Sequence, residues 1–363
     1  MQTSLDPESK SLIEQTLRRF LADCYDPAAR LERLAADAVD YREHWATLAH
    51  LGVLALAFDE DHGGPGASPR DLADAVRVLA PGLILEPFAQ TAIVAGRVLA
   101  AGADAATRAA CVERLVEGSR VTVLAGGRDA RCDRLRCERT ADGLRLTGSL
   151  RVVPYAVQAD EWLIVADDAQ GKPVIVRVDA ARSHAKLSGY RLMDGRPAAD
   201  LVFEDEHVER GGLWLEGEAA QRAMDGARLD AVNVLCAEAV GVMESLIAVT
   251  GEYLRTRVQF GAPLATYQAL QHRYVDMYMA YIESSAISRE YADALGAEDR
   301  EARARLACSA ALVVARAARL VGHEAIQMHG GIGVTDELMV SHGNARLAVI
   351  TSMLRDWRPE WKS

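Results

Sequence analysis

Arg257, Gln259 and Phe260 precede a Gly261-Ala262-Pro263 break, and Gln268 opens the segment that follows. An arginine pairs a pyrophosphate through two parallel bonds, a phenylalanine lies against a flat ring, and a glutamine bonds ring edges. Those are contacts that a phosphate-bearing cofactor needs. Further on, "AIQMHGGIGV", residues 325–334, sets Gln327 just before Gly330, Gly331 and Gly333. Glycines there allow positive φ and close approach of a ligand, and the residues after them can present free N–H groups at a helix start. Taken alone, the first stretch is more simply an inter-helix turn with a capping Gly. The second is equally a helix end followed by a turn, since no strand precedes its glycines.

The elements that must position these residues are mainly helical. Residues 1–119 show helical periodicity, first at Leu12, Ile13, Leu17, Phe20 and Leu21. Trp45 to Leu56 is a second apolar stretch. Ser68 is a ready N-cap with Pro69 at the first helical position, and Pro81-Gly82 stops that helix. Two more helices are expected over Ala89–Ala101 and Ala105–Val116. Near Ser119 the period changes to short β-branched runs such as "EWLIVADD" and "PVIVRVDA", with hairpin tips at 141–143 and 169–171. An antiparallel β domain is expected over 120–215, without the βαβ alternation of a Rossmann sheet. Helical periodicity returns at Glu218 and persists to about Leu354. Long segments near 264–296 and 299–328 and a shorter one over 335–355 make 216–363 a four-helix-bundle pattern. The fold class expected is α+β, mainly α.

Bulk properties narrow the function. A net charge of −11 argues against a general nucleic-acid binder. No run resembles a spanning helix of roughly 20 apolar residues, and the polar, mixed-charge first residues do not suit a signal peptide. Six scattered cysteines form no CxxC pair and no zinc spacing, so no metal is expected, and reduced thiols in a soluble cytoplasmic protein are the simplest reading. Cys132 and Cys137 fall in an expected hairpin. His62, His184, His207 and His323 are isolated and read as surface or structural residues.

Taken together and in this order, the two glycine-bearing stretches are far more specific. "RVQFGAPLATYQALQHRYVDM" resembles the R-x-x-F-G…Q segment of the acyl-CoA dehydrogenase family, and "AIQMHGGIGVTDELMVSH" its Q-x-x-G-G-x-G segment. "EDHGGPGASPRDLADAVRVL" and "AADLVFEDEHV" add to the likeness, which covers essentially the whole chain. The resemblance implies helical, β and four-helix-bundle domains and an FAD-dependent 2,3-dehydrogenation of an acyl-CoA. It implies electrons passed to an electron-transfer flavoprotein, and a homo- or hetero-tetramer with FAD across a subunit interface. Arg257, Phe260 and Gln268 match positions serving the cofactor of one subunit, with Gln259 beside them. Gln327, Gly330 and Gly331 match positions reaching the neighbour's FAD.

The chain departs from the family at three places. The family's usual catalytic Glu lies in an E-G-T segment. Here the region reads "AVITSMLRDWRPEWKS" and the matching position falls at or near Leu354, with Asp356 and Glu360 at the wrong spacing. Some relatives carry the base on the helix before R-x-x-F-G, and counting back lands on Ala231, beside Asp230. Asp230 is a candidate base, as is Glu238 on the same helix, although a first-turn Asp and a paired structural Glu are the plainer readings. "VLAGGRDARCDRL" lacks the Thr and Ser that meet the flavin in relatives, leaving Gly126 and Gly127 as backbone donors. "LRVVPYA" lacks a further hydroxyl or amide. These losses resemble the smaller subunits of heteromeric acyl-CoA dehydrogenases that act on dicarboxylyl or sterol side-chain CoA esters. Two expectations follow: a dehydrogenase with Asp230 or Glu238 as base, or a non-catalytic chain completing a companion's FAD site.

Overall fold

The computed structural model describes residues 4–36, 41–127 and 135–359. Its helices, in chain order, are α1 (Pro7–Cys24), α2 (Pro27–Ala35), α3 (Arg42–His50), α4 (Pro69–Leu79), α5 (Gly96–Ala100), α6 (Ala105–Val116), α7 (Gly217–Thr256), α8 (Gln268–Ala294), α9 (Arg300–His329) and α10 (Met339–Trp357). The main sheet holds β1 (Thr122–Ala125), β2 (Arg136–Arg139), β3 (Gly143–Pro154), β4 (Glu161–Asp167), β5 (Pro173–Asp179), β6 (Lys186–Arg191), β7 (Pro197–Glu209) and β8 (Leu213–Glu216). A two-stranded ribbon, β9 (Val258–Gln259) and β10 (Ala262–Pro263), follows α7. The chain divides into two compact units, one built from Ala36–Ala67 and Leu85–Ala231, the other from Ser4–Ala35, Ser68–Ile84 and Val232–Ser363.

In the first unit the sheet runs β6-β7-β3-β2-β4-β5-β8, with β1 paired to β4 off that path. The expected hairpins are present as β2–β3 and β4–β5, but β1 pairs β4 in parallel and β2 touches β4 in parallel. The sheet is therefore mixed rather than wholly antiparallel. Parallel pairing needs a long connection, and the β2–β3 hairpin lies between β1 and β4 in the chain. "EWLIVAD" is buried at nearly every position, which is how a central strand covered on both faces reads. Trp214 donates its indole N–H to the Val98 carbonyl at 2.9 Å, and Arg177 holds the buried Glu161 at 2.8 Å.

The second unit holds α1, α2, α4, most of α7, the β9–β10 ribbon, and α8 to α10. Ser68 caps α4 through a reciprocal capping box with Asp71, with Pro69 at the first helical position as the sequence suggests. Asp71 also accepts from the Leu5 N–H at 3.0 Å and pairs Lys10 at 2.8 Å, which ties α1 to α4. Burial alone would raise the Asp71 pKa, but the bonds from Lys10, Leu5 and Ser68 outweigh it and hold the carboxyl below the usual range. Small residues on α9 let α10 approach closely: a Cβ at Gly322 would stand 2.5 Å from the Asn344 side-chain oxygen.

Several elements differ from the sequence expectation. Ala89–Ala101 is a π-helix over Ala89–Ala95 that continues as α5, a widened turn that shifts the phase of later side chains. Leu12 points outward on α1, while Leu17 and Phe20 are buried. The 40-residue α7 is long and apolar enough to cross a membrane, contrary to the reading that no such run exists, but 78% of its apolar window is buried inside the protein. Cys132 lies outside the described residues, and Cys137 is a buried thiol whose pKa burial pushes up.

Candidate active site

The end of α7 builds the first half of the site. The Arg257 N–H still bonds the Tyr253 carbonyl at 2.9 Å, and the chain then folds back as the β9–β10 ribbon, with Gln259 opposite Ala262. Phe260 and Gly261, the two turn residues, have φ of 54° and 85°. Two positive φ values in a two-residue loop make a type I′ hairpin turn. The Tyr267 hydroxyl bonds the Gln259 carbonyl at 3.0 Å, and the Leu264 N–H bonds the Arg257 carbonyl at 2.9 Å. This ribbon is why the helix expected from 264 begins only at Gln268. Phe260 is 92% exposed, its ring meeting Tyr267 edge-on at 6.4 Å. Arg257, Gln259 and Gln268 are exposed too.

The end of α9 builds the second half. His329 closes the helix, and Gly330, at φ 67°, bonds back to the Gln327 and Ile326 carbonyls. A Cβ at Gly330 or Gly331 would meet nothing within 4 Å, so the backbone there stands open. At Gly333 a Cβ would be 2.8 Å from the Ile326 carbonyl, so that glycine lets the turn fold onto the helix end. Gln327 is exposed.

The two halves meet. The Tyr253 and His329 rings stack with centroids 4.3 Å apart and planes 28° apart, and the Tyr253 hydroxyl bonds the His329 carbonyl at 3.3 Å. His329 is buried, its Nδ1 lies 2.8 Å from the Ala325 carbonyl, and burial holds its pKa below the usual histidine value. Tyr253 lies one helical turn before Arg257, and His329 adjoins Gly330. Neither residue was singled out as a site residue in the sequence. The only available sign was that both sit beside the two motifs.

The two candidate bases are both ion-paired. Asp230 accepts two bonds from the Arg97 guanidinium, the one from Nη2 at 3.0 Å. Glu238 takes a bidentate pair from Arg346 at 2.7 and 2.6 Å, and Arg346 is only 2% exposed. Leu354, at the position of the family's usual base, is packed at 1% exposure, and Asp356 beside it pairs with Arg355. Glu360 lies outside the described residues. In the first unit Gly126 and Gly127 take φ of 93° and 74° at the end of β1, and Arg228 holds the Gly127 carbonyl at 2.9 and 2.7 Å. Val152, in the stretch without the family's hydroxyl, sits at φ 53° where the β3–β7 register shifts.

An exposed aromatic ring on a hairpin, an exposed arginine and three glutamines, and an open glycine backbone fit a dinucleotide's rings and phosphates. The sequence decides which family presents them. Residues 7–119 match the model of the acyl-CoA dehydrogenase N-terminal domain, and residues 217–352 match that of the acyl-CoA dehydrogenase C-terminal domain. The chain belongs to the acyl-CoA dehydrogenase family. Among its relatives, acyl-CoA dehydrogenase IpdE2 of Mycobacterium tuberculosis is 28% identical over 94% of this chain and 93% of its own. The short-chain-specific acyl-CoA dehydrogenase of Megasphaera elsdenii is 26% identical over 84% of each chain. The fold matches a chain of the ChsE4–ChsE5 complex from Mycobacterium tuberculosis with a TM-score of 0.87 at 21% identity, over 97% of this chain and 95% of that one. An acyl-CoA dehydrogenase is an FAD-dependent oxidoreductase acting on the CH–CH bond of an acyl-CoA thioester, and that is the reaction class of this chain.

Proposed function

We propose that this chain works as one subunit of an oligomeric acyl-CoA dehydrogenase and that the Tyr253–His329 end of its helical unit faces FAD at a subunit interface. The observation that carries this reading is Phe260: its ring, 92% exposed on a turn with positive φ, is presented outward where a flat cofactor ring can lie against it. Arg257, Gln259, Phe260 and Gln268 then act with Gln327, Gly330 and Gly331 on one cofactor, not two, because the ring stack ties their backbones together. Arg257 serves phosphate, Phe260 and the glutamines serve rings and edges, and the glycines admit the cofactor to the backbone.

FAD, when bound, accepts the hydride that leaves the substrate Cβ. The chain's own part is to hold the cofactor and to take the α-proton. Of the two carboxylates, Asp230 is the one able to do so. Glu238 is locked by a guanidinium that is itself buried, whereas the Arg97 side chain that pairs Asp230 is 39% exposed. The relatives support an enzyme over a partner-only chain, since those spanning 84–94% of this chain carry the name of acyl-CoA dehydrogenase. A homologous subunit completes the site, and an electron-transfer flavoprotein takes the electrons onward.

Expressing the chain alone and with a homologous subunit from the same source tests this reading. The assembled protein is expected to be yellow and to bleach with its acyl-CoA. A stable oligomer that binds no FAD in either preparation would refute it.

A further inference from the structure

We infer that Tyr253 and His329 are positioning residues that clamp the Arg257–Phe260 ribbon and the Gly330–Gly331 loop into a single cofactor-binding face. The part of this concerning FAD rests on the function proposed above; the part concerning the clamp does not. The geometry is specific. Tyr253 sits where α7 ends, with its carbonyl still holding the Arg257 N–H, so any movement of Tyr253 moves Arg257. His329 is the last residue of α9, and its carbonyl accepts the Tyr253 hydroxyl at 3.3 Å just where the chain turns into Gly330.

The imidazole is fixed from both sides. Its Nδ1, as the N–H, bonds the Ala325 carbonyl at 2.8 Å, and its face lies on Tyr253 at 4.3 Å. From below, Gly333 closes on it, since a Cβ there would stand 2.9 Å from the His329 Cβ. A neutral ring suits such a stack, and burial keeps the imidazole neutral. A residue that only filled space would not need both a stacked plane and a hydroxyl-to-carbonyl bond at the last residue before the loop glycines. The pair instead sets the distance and angle between two exposed stretches that are far apart in sequence and joined at their helix ends.

Hydrogen exchange on the full chain without cofactor tests the clamp directly. Tyr253→Leu is expected to raise exchange in residues 257–263 and 330–335 together, by about tenfold, while peptides from the β domain stay unchanged. Tyr253→Phe keeps the stack but loses the bond to the His329 carbonyl, and is expected to fall between wild type and Tyr253→Leu. FAD titration of the assembled protein is the second readout. Tyr253→Leu and His329→Leu should each raise the FAD Kd by about tenfold, and the double variant should do no more than either alone, as coupled residues do. Exchange that rises in only one segment, or effects on Kd that add, would overturn the clamp. Joint loosening without any change in FAD affinity would keep the clamp and sink the cofactor assignment.

Discussion

Asp230 and Glu238 lie eight positions apart on one helix, each paired to an arginine, but Arg97 is 39% exposed and Arg346 only 2%. A carboxylate held by a buried bidentate guanidinium is a structural anion, and that describes Glu238. Asp230→Asn is expected to lower single-turnover bleaching of the assembled enzyme by about a hundredfold or more, with the FAD content unchanged. Full turnover in that variant would move the base to the partner subunit. His329 carries a pH signature. Burial lowers its pKa below the roughly 6.5 of an exposed histidine, so on acidification the unfolded chain takes up a proton first. Its contribution is whole above about pH 6.5 and is lost as the pH falls through the folded value. Thermal melts between pH 7.5 and 5.5 should show a smaller acid-induced drop for His329→Gln than for wild type; equal drops would mean that His329 does not titrate with folding.

At the scale of elements, the Glu238–Arg346 pair joins α7 to α10 within the bundle. Removing one partner leaves a buried charge, so Arg346→Met is expected to cost about 3–5 kcal/mol, while Glu238→Leu with Arg346→Met together should recover most of it. Urea denaturation of the single and double variants reads this, and a double variant as unstable as the single one would contradict it. The capping box of α4 is a smaller term: Ser68→Ala should cost about 1 kcal/mol in the same assay. That helix start was legible because Ser68, Pro69 and Asp71 act within one turn. The π-helix at Ala89–Ala95 was not, because nothing in local periodicity separates a widened turn from an ordinary one. The parallel β1–β4 pair was hidden for a related reason. Strand runs reveal their own alternation, but not which distant strand they join.

For the whole molecule, α8 exposes Val275, Tyr278, Met279 and Ile282 along one helical stripe. A stripe of large exposed apolar side chains marks a contact with another chain. Charging it with Met279→Glu and Ile282→Lys is expected to reduce the mass seen by sedimentation and to release FAD with it. Loss of assembly without loss of FAD would place the cofactor within one chain.

What the sequence by itself determined is the order of helical, β and helical segments, the family, and the two motifs proposed to meet the cofactor. These are written in short-range patterns: periodicity, caps, and motifs held within one turn. Only the tertiary structure decided that Glu238 is neutralised by Arg346, 108 positions away, and that Tyr253 stacks on His329 across 76. Ion pairs and ring stacks depend on which helix faces pack together. That is settled by the burial of the whole core, and no local stretch of sequence records it.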